Sequence, residues 1–307
     1  MKGANEGPQR SALGYALVAT AAGSWGTWPL VLRAAHARGA IAQELVSFVV
    51  MAAITIVPLP LLWKDRVRER APWQAWAGLV WLGIADAANI ALFFGAYAKT
   101  SVAIAVLTHS LAPLFVAVVS PFLLGEAPRR ATFGAVLLAL TGLVLLLAPW
   151  RATHGAGDLV GAMLGAGSAV FYASNVIVSK KLAGRFSATE LMSFHGLVAL
   201  PLLALLVPRD AWSTASTGAL GIVALAGVGP GALSGLLFTW GLRRVPASHA
   251  STLTLLEPVG AVLLSVLVLG ERVPFLGWLG VVLVLGAAGL VLSGGRGQAK
   301  ANVPARV

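Results

Sequence analysis

Ionisable side chains are scarce inside the apolar runs of this chain, so the few that occur there mark where chemistry can reside. Asp86 lies thirteen residues after Trp73 in one such run, and Asn89 follows one helical turn later on the same face. Glu257 directly precedes Pro258, His109 stands one turn before Pro113, and Asn175 follows Tyr172 by one turn. Trp25 and Trp28 are three residues apart, on one face of the first run. A carboxyl in such a place can hold a cationic group or carry a proton, because burial favours its neutral form. An imidazole can relay protons or bind a carboxylate, and indoles can stack on an aromatic or apolar group. Each residue also has a plainer role. Asp86 can bridge helices, Glu257 can bond backbone that the adjacent proline disturbs, and His109, Trp25 and Trp28 can simply pack.

The elements that must position these residues follow from composition. Hydrophobic residues make up 58% of the chain and charged ones 11%, with a mean hydropathy of +0.86. Soluble domains are about a quarter charged, so a surface this poor in charge has to face lipid, and the lipid bilayer is the expected surrounding. The net charge of +11 would suggest nucleic acid in a soluble chain. Here the basic residues cluster at the ends of apolar runs, which reads as topology rather than as a nucleic-acid surface. Cysteine is absent, which excludes disulfides and thiolate chemistry. Ala19-Thr20-Ala21 resembles a signal-peptidase site, but the first run has a counterpart later in the chain and is expected to remain. Five histidines, at 36, 109, 154, 195 and 249, are scattered, so no metal site and no cofactor is expected. No Gly-x4-Gly-Lys-[Ser/Thr] phosphate loop occurs, so ATP hydrolysis in that manner is not expected; the absence of His-Glu-x-x-His and Gly-x-Ser-x-Gly strings weighs against an intramembrane enzyme.

Apolar runs bounded by charge or turn residues predict helices over 13–35, 43–63, 73–97, 101–124, 131–149, 158–180, 190–208, 217–242, 248–269 and 274–293. Each is long enough, at ~1.5 Å per residue, to cross the ~30 Å hydrocarbon layer. The expected fold is therefore all-α integral membrane, with ten transmembrane helices. With the N-terminus placed inside, the inner segments hold 16 of the 22 basic residues: Lys2, Arg10, Lys64, Arg66, Arg68, Arg70, Arg129, Arg130, Lys180, Lys181, Arg185, Arg243, Arg244, Arg296, Lys300 and Arg306. Arg33, Arg38, Lys99, Arg151, Arg209 and Arg272 fall outside. The bias places both termini in the cytoplasm, with Trp63, Trp73 and Trp76 at the inner interface and Trp150 and Trp212 at the outer one.

The chain also repeats itself. Gln43-Glu44-Leu45-Val46-Ser47-Phe48 matches Thr189-Glu190-Leu191-Met192-Ser193-Phe194 at an offset of 146. Leu111-Ala112-Pro113 matches Leu256-Glu257-Pro258, and Gly125-Glu126 matches Gly270-Glu271, both at 145. Thr141-Gly142-Leu143-Val144-Leu145 matches Ala288-Gly289-Leu290-Val291-Leu292, Trp25 aligns with Tyr172, and Arg33 with Lys180. The halves are 11–150 and 151–295, followed by a cytoplasmic tail over 296–307, all in a single membrane domain. Five helices per half make the second half enter from the opposite side. Such an inverted repeat suits a carrier whose two halves exchange conformations around a midplane site.

Ten helices in two inverted halves, the paired prolines Pro113 and Pro258, and the Gly-Glu that closes each of those helices resemble the drug/metabolite transporter superfamily, in particular its EamA-type branch. The resemblance spans residues 11 to 295, and within the branch the chain is similar to amino-acid exporters, the aromatic group included. It implies export of a small-molecule substrate across the bacterial inner membrane without ATP hydrolysis. Aromatic or neutral amino acids lead, with nucleosides, other metabolites or cationic drugs as alternatives; a channel is disfavoured by the lack of a filter-like segment. A monomer is expected, with a homodimer as the alternative. The substrate site is expected between the halves at Trp25, Trp28, Asp86, Asn89, His109, Tyr172, Asn175 and Glu257. Hinges are expected at Pro113, Gly229, Pro230, Gly231 and Pro258, with Pro230 kinking its helix. His195 and His249 read as lying near the cytoplasmic ends, where interfacial water solvates them. Glu44 and Glu190 read as first-turn residues that complement the helix dipole, and Gly125 and Gly270 as helix stops.

Overall fold

Lipid offers no partner to a bare backbone N–H or C=O, so an apolar chain in a membrane closes its hydrogen bonds within helices. The computed structural model describes residues 8–65, 71–151 and 155–301, and among them every regular element is helical. In order these are α1 (Pro8–Trp25), α2 (Trp28–His36), α3 (Gln43–Ile56), α4 (Leu62–Asp65), α5 (Trp73–Lys99), α6 (Val102–His109), α7 (Ala112–Leu124) and α8 (Arg130–Leu147). They continue with α9 (Asp158–Leu182), α10 (Ala188–Ala204), α11 (Ala211–Thr214), α12 (Thr217–Ala226), α13 (Ser234–Leu242), α14 (Ala247–Leu253), α15 (Leu256–Leu269) and α16 (Phe275–Ala301). Among the described residues, eight helical stretches are long and apolar enough to cross a membrane, and α10 is a shorter apolar helix.

Several expected helices are broken, and the breaks have a local cause. The run over 13–35 divides at Gly26-Thr27, the run over 101–124 at Ser110-Leu111, and the run over 248–269 at Thr254-Leu255. Pro29, Pro113 and Pro258 stand two or three residues into the segments that follow. Each removes one backbone donor and leaves the carbonyl four residues earlier without its helical partner. Trp25 and Trp28 therefore do not share a face of one continuous helix; they flank a break. Pro230 does not produce a simple kink either. Gly227–Leu233 forms a π-helical turn joining α12 to α13, which widens the helix to accommodate the missing donor.

Other boundaries shift. The run over 43–63 ends as α3, then a 3₁₀ turn at Leu59–Leu61 and α4. The run over 190–208 ends at Ala204, three residues past Pro201. The last helix continues to Ala301, so residues 296–301 of the expected tail are helical. Residues 302–307, together with Lys2, Arg66, Arg68, Arg70 and His154, lie outside the described residues.

The helices run between two ends of one bundle. At one end α1 starts against the end of α13, where a Cβ added to Gly14 would meet Arg244 Cβ at 2.6 Å. At the other, α9 starts against the end of α5, where a Cβ on Gly157 would lie 2.5 Å from Lys99 O. Thus α1 and its repeat counterpart α9 start from opposite ends. The largest core cluster gathers Tyr15, Val18, Val116, Leu143, Val176 and Leu253 from both halves. Leucines, valines and tryptophans cover the outside, with Trp63, Trp73, Trp76, Trp150 and Trp212 exposed. α8 and α16 pack along each other, with Gly142 so close to Gly280 O that an added Cβ would stand 2.7 Å away.

Candidate functional site

The site is built on α5, α9 and α10. Gly83 lets α10 approach α5, since a Cβ there would fall 2.5 Å from His195 O. One turn further along α5, Asp86 faces the same neighbour. Its Oδ1 accepts a 3.0 Å hydrogen bond from Asn175 Nδ2 of α9, and its Oδ2 lies 3.4 Å from His195 Nε2 of α10. His195 Nδ1 donates to Leu191 O at 2.6 Å. The Asp86 side chain keeps 23% exposure, whereas that of His195 keeps 9%. Two acceptors beside this cluster, Asn89 Oδ1 and Asn175 Oδ1, are buried without a hydrogen-bond partner among the described residues.

Along α9, one turn before Asn175, Tyr172 continues the polar surface. Its hydroxyl stands near Thr254, at the break between α14 and α15, and near the carboxyls of Glu257 and Asp86. The His109 ring sits 5.3 Å from that of Tyr172 and 4.4 Å from that of Phe93. Ser168 Oγ gives its hydrogen to Gly165 O at 2.8 Å, so His109 Nδ1 donates to Ser168 Oγ, also at 2.8 Å. Trp25 packs on Phe238 at 5.4 Å. Gly26, beside it, abuts the start of α15, and a Cβ there would come within 2.8 Å of Glu257 O. The structure thus links Asp86, Asn175, Tyr172 and His109 along α9 and sets Trp25 and Glu257 at neighbouring helix breaks. Asn89 lies one turn from Asp86, while Trp28 stands beyond the break on α2.

Two histidines are placed differently from the expectation. His195 and His249 are both buried rather than solvated at an interface. His249 bonds Tyr15 Oη at 2.6 Å and Thr132 Oγ1 at 3.3 Å, tying together α14, α1 and α8. His195 is the partner of Asp86. The sequence carried one signal for this: besides Glu190 near its start, α10 has no other ionisable residue, and a carboxyl at the depth of Asp86 needs a polar partner.

The two ends of the bundle carry related latches. At one end, Lys180 Nζ donates to Leu242 O at 2.7 Å and Val245 O at 2.6 Å, and pairs with Glu126 Oε1 at 3.6 Å. Glu126 Oε2 accepts from Ala247 N at 2.7 Å. The end of α9, the α7–α8 connection and the α13–α14 connection are thereby joined. The repeat counterparts of Lys180 and Glu126 are Arg33 and Glu271, which pair at 3.5 Å at the opposite end. Those side chains are 65% and 54% exposed, against 17% and 25% for Lys180 and Glu126. Among the described residues, no hydrogen bond ties Arg33 or Glu271 to the α5–α6 connection. Packing follows the same division. All seven residues of α14 are buried, whereas in its counterpart α6 only Ala105 is. α7 buries Ala112, Pro113, Val116, Ala117 and Ser120, while its counterpart α15 buries only Val259. Gly125 and Gly270, at φ 68° and 67°, set the two glutamates by the same left-handed helix stop.

Nearby, Ser187 and Glu190 close a capping box at the start of α10. Glu44 lies in the first turn of α3, which has no side-chain cap. Arg243, just beyond α13, donates to Phe186 O at 2.9 Å; burial draws its guanidinium below the ordinary value, and the charge of Asp65 opposes this.

The EamA-like transporter family matches the chain twice, over residues 12–148 and again over 159–293. An uncharacterized transporter of Bacillus subtilis, YwfM, is 28% identical over 229 residues, covering 73% of this chain and 75% of the relative. An uncharacterized transporter of Clostridium kluyveri is 24% identical over 261 residues, covering 81% and 83%. One solved crystal structure superposes with a TM-score of 0.74 at 24% identity, covering 92% of this chain and 98% of the other. At that identity the likeness speaks for the fold.

Proposed function

The chain belongs to the EamA-like transporter family and is a multi-pass membrane transporter, and on that premise we propose that it is a secondary carrier exporting small metabolites across the bacterial inner membrane by alternating access. Amino acids with aromatic or neutral side chains are the foremost cargo. On this reading ten segments cross the bilayer: the eight long ones, α10 extended by Leu205 and Leu206, and α1 continued by α2. The basic-residue bias puts both termini in the cytoplasm, so the Lys180 end is the cytoplasmic one.

The observation that carries the proposal is the inequality of the two latches. Inverted halves of one sequence contribute equivalent pairs, yet one pair is largely shielded and joins the end of α9 to two connections while the other is exposed. A carrier closed on one side and open on the other requires such an asymmetry, and the opposite state follows by exchanging the roles of the halves. Arg33 and Glu271 would then gather the α5–α6 connection. The breaks before Pro113 and Pro258, with the π turn at Gly229, Pro230 and Gly231, are where the helices would bend. Asp86 suits a substrate ammonium, and Tyr172 and Trp25 suit an aromatic or apolar side chain. Cationic drugs or other metabolites with a positive group and an aromatic body satisfy the same chemistry and form the second reading.

The test is flux. Purified chain in liposomes is expected to exchange labelled phenylalanine or tryptophan against the same unlabelled amino acid at equal pH. Absence of flux across a panel of all amino acids overturns the amino-acid reading. Flux of a cationic dye in that case supports the second.

A further inference from the structure

The contact between Asp86 and His195 constrains where hydrogens can be. A carbonyl oxygen has none to give, so the 2.6 Å contact from His195 Nδ1 to Leu191 O places a hydrogen on Nδ1. A neutral ring then turns a bare Nε2 towards Asp86 Oδ2 at 3.4 Å. If Asp86 is also ionised, two hydrogen-bond acceptors face each other in a buried place, which is unfavourable. One proton between them removes the conflict. It rests on Nε2, giving an imidazolium beside a carboxylate, or on Oδ2, giving two neutral groups. Asn175 holds the other carboxylate oxygen at 3.0 Å and so keeps Oδ2 turned to the ring.

We propose that Asp86 and His195 together form a proton-binding site, through which the chain exchanges a proton for the cationic group of its substrate. The exchange rests on the carrier reading above; the proton site does not. Without a ligand the pair carries one negative charge, and with a proton it carries none. A substrate ammonium reaching the exposed side of Asp86 offers the hydrogens and the positive charge that the imidazolium offered. The proton on Nε2 then departs to water, leaving a carboxylate and a neutral ring, and pair and ammonium together are neutral. Proton and ammonium compete for one carboxylate, so one enters as the other leaves.

Other titratable groups stand around this pair. On α9, Tyr172 lies one turn from Asn175 in the field of Asp86 and of Glu257 from α15. His109 on α6 stands beyond Tyr172, its Nδ1 committed to Ser168. On α3, the ionisable residue is Glu44 in the first turn; α4 holds Lys64 and Asp65. Within α13 there is none, and Arg243 follows its end.

The measurement is ¹⁵N NMR of the full chain, labelled at histidine, in lipid nanodiscs, with His195→Gln to assign the signal. In a titration run from about pH 4 to about pH 10, the His195 resonance is expected to pass from imidazolium to neutral. In Asp86→Asn the transition is expected to move down by about one pH unit or more, as loss of an adjacent opposite charge requires. A signal that stays in one form across that range overturns the proton site, and so does one indifferent to Asp86→Asn. In liposomes, an imposed pH gradient is expected to raise phenylalanine flux several-fold, and in His195→Gln the ratio of flux with to without the gradient falls to unity. An unchanged ratio overturns the exchange while the carrier reading stands. If the wild-type chain moves no amino acid at all, the carrier's amino-acid reading falls, and the NMR titration still decides the proton site.

Discussion

Lys180 and Arg33 occupy equivalent places in the two halves but do unequal work. The Lys180 ammonium supplies two backbone carbonyls and one carboxylate, so Lys180→Gln should destabilise the folded chain by about 2–3 kcal/mol, as loss of charged hydrogen bonds does. Arg33→Gln removes a solvated pair and should cost less than about 1 kcal/mol. Thermal unfolding of both variants in the same detergent tests the difference; equal losses would show that the two ends are alike. Ser187→Ala provides a calibration, because it removes the capping box of α10 and should cost about 1 kcal/mol.

At the scale of elements, the breaks divide the helices into half-helices, and on the proposed carrier reading the breaks are where these would pivot. Restoring a backbone donor at Pro113 or Pro258 lets the helix run through, so Pro113→Ala and Pro258→Ala should slow flux several-fold while leaving the circular dichroism of the folded chain unchanged. Faster or equal flux would locate the bending elsewhere. Most of the elements were legible from residue order, because a chain in lipid has few alternatives to a helix and the runs are bounded by charge. Pro113, Pro258 and Pro230 advertised departures from regularity. The division at Gly26-Thr27 follows from Pro29 in the same way, although Trp25 and Trp28 suggest a continuous face; the approach of Gly26 to α15 is what residue order hides. The partnership of His195 with Asp86 was hidden for a related reason. Counting residues from each helix start ranks Asp86 as deep and His195 as shallow. α5 and α10 start at different levels, and only their packing at Gly83 brings the two to one height. Arg33, Lys180, Glu126 and Glu271 could all be aligned by the repeat, but their meeting depends on which ends close.

For the whole molecule, alternation predicts that the two ends cannot both be shut. The chain has no cysteine of its own, so introduced pairs report without background. Ala127 and Ser248 line one cavity at the Lys180 end, and Ala127→Cys with Ser248→Cys should be joined rapidly by a short thiol cross-linker in the resting protein. The counterpart pair, Arg272→Cys with Ala103→Cys, should join slowly. Adding Lys180→Gln should reverse the order of the two rates. Rapid joining of both pairs in the same molecules would be incompatible with alternation.

On the carrier reading proposed above, the latches stand apart from the Asp86 cluster, so one substitution at Arg33 or Lys180 would change which shape the empty protein prefers without touching what it recognises. A catalyst of movement cannot shift the final ratio of concentrations, which the driving force alone decides. What the unequal latches can alter is the half-saturating concentration on each face, one rising as the other falls. Such a chain can be adjusted over generations to release cargo readily at high internal levels and to resist refilling from outside, while the concentration ratio at which net movement stops remains the same.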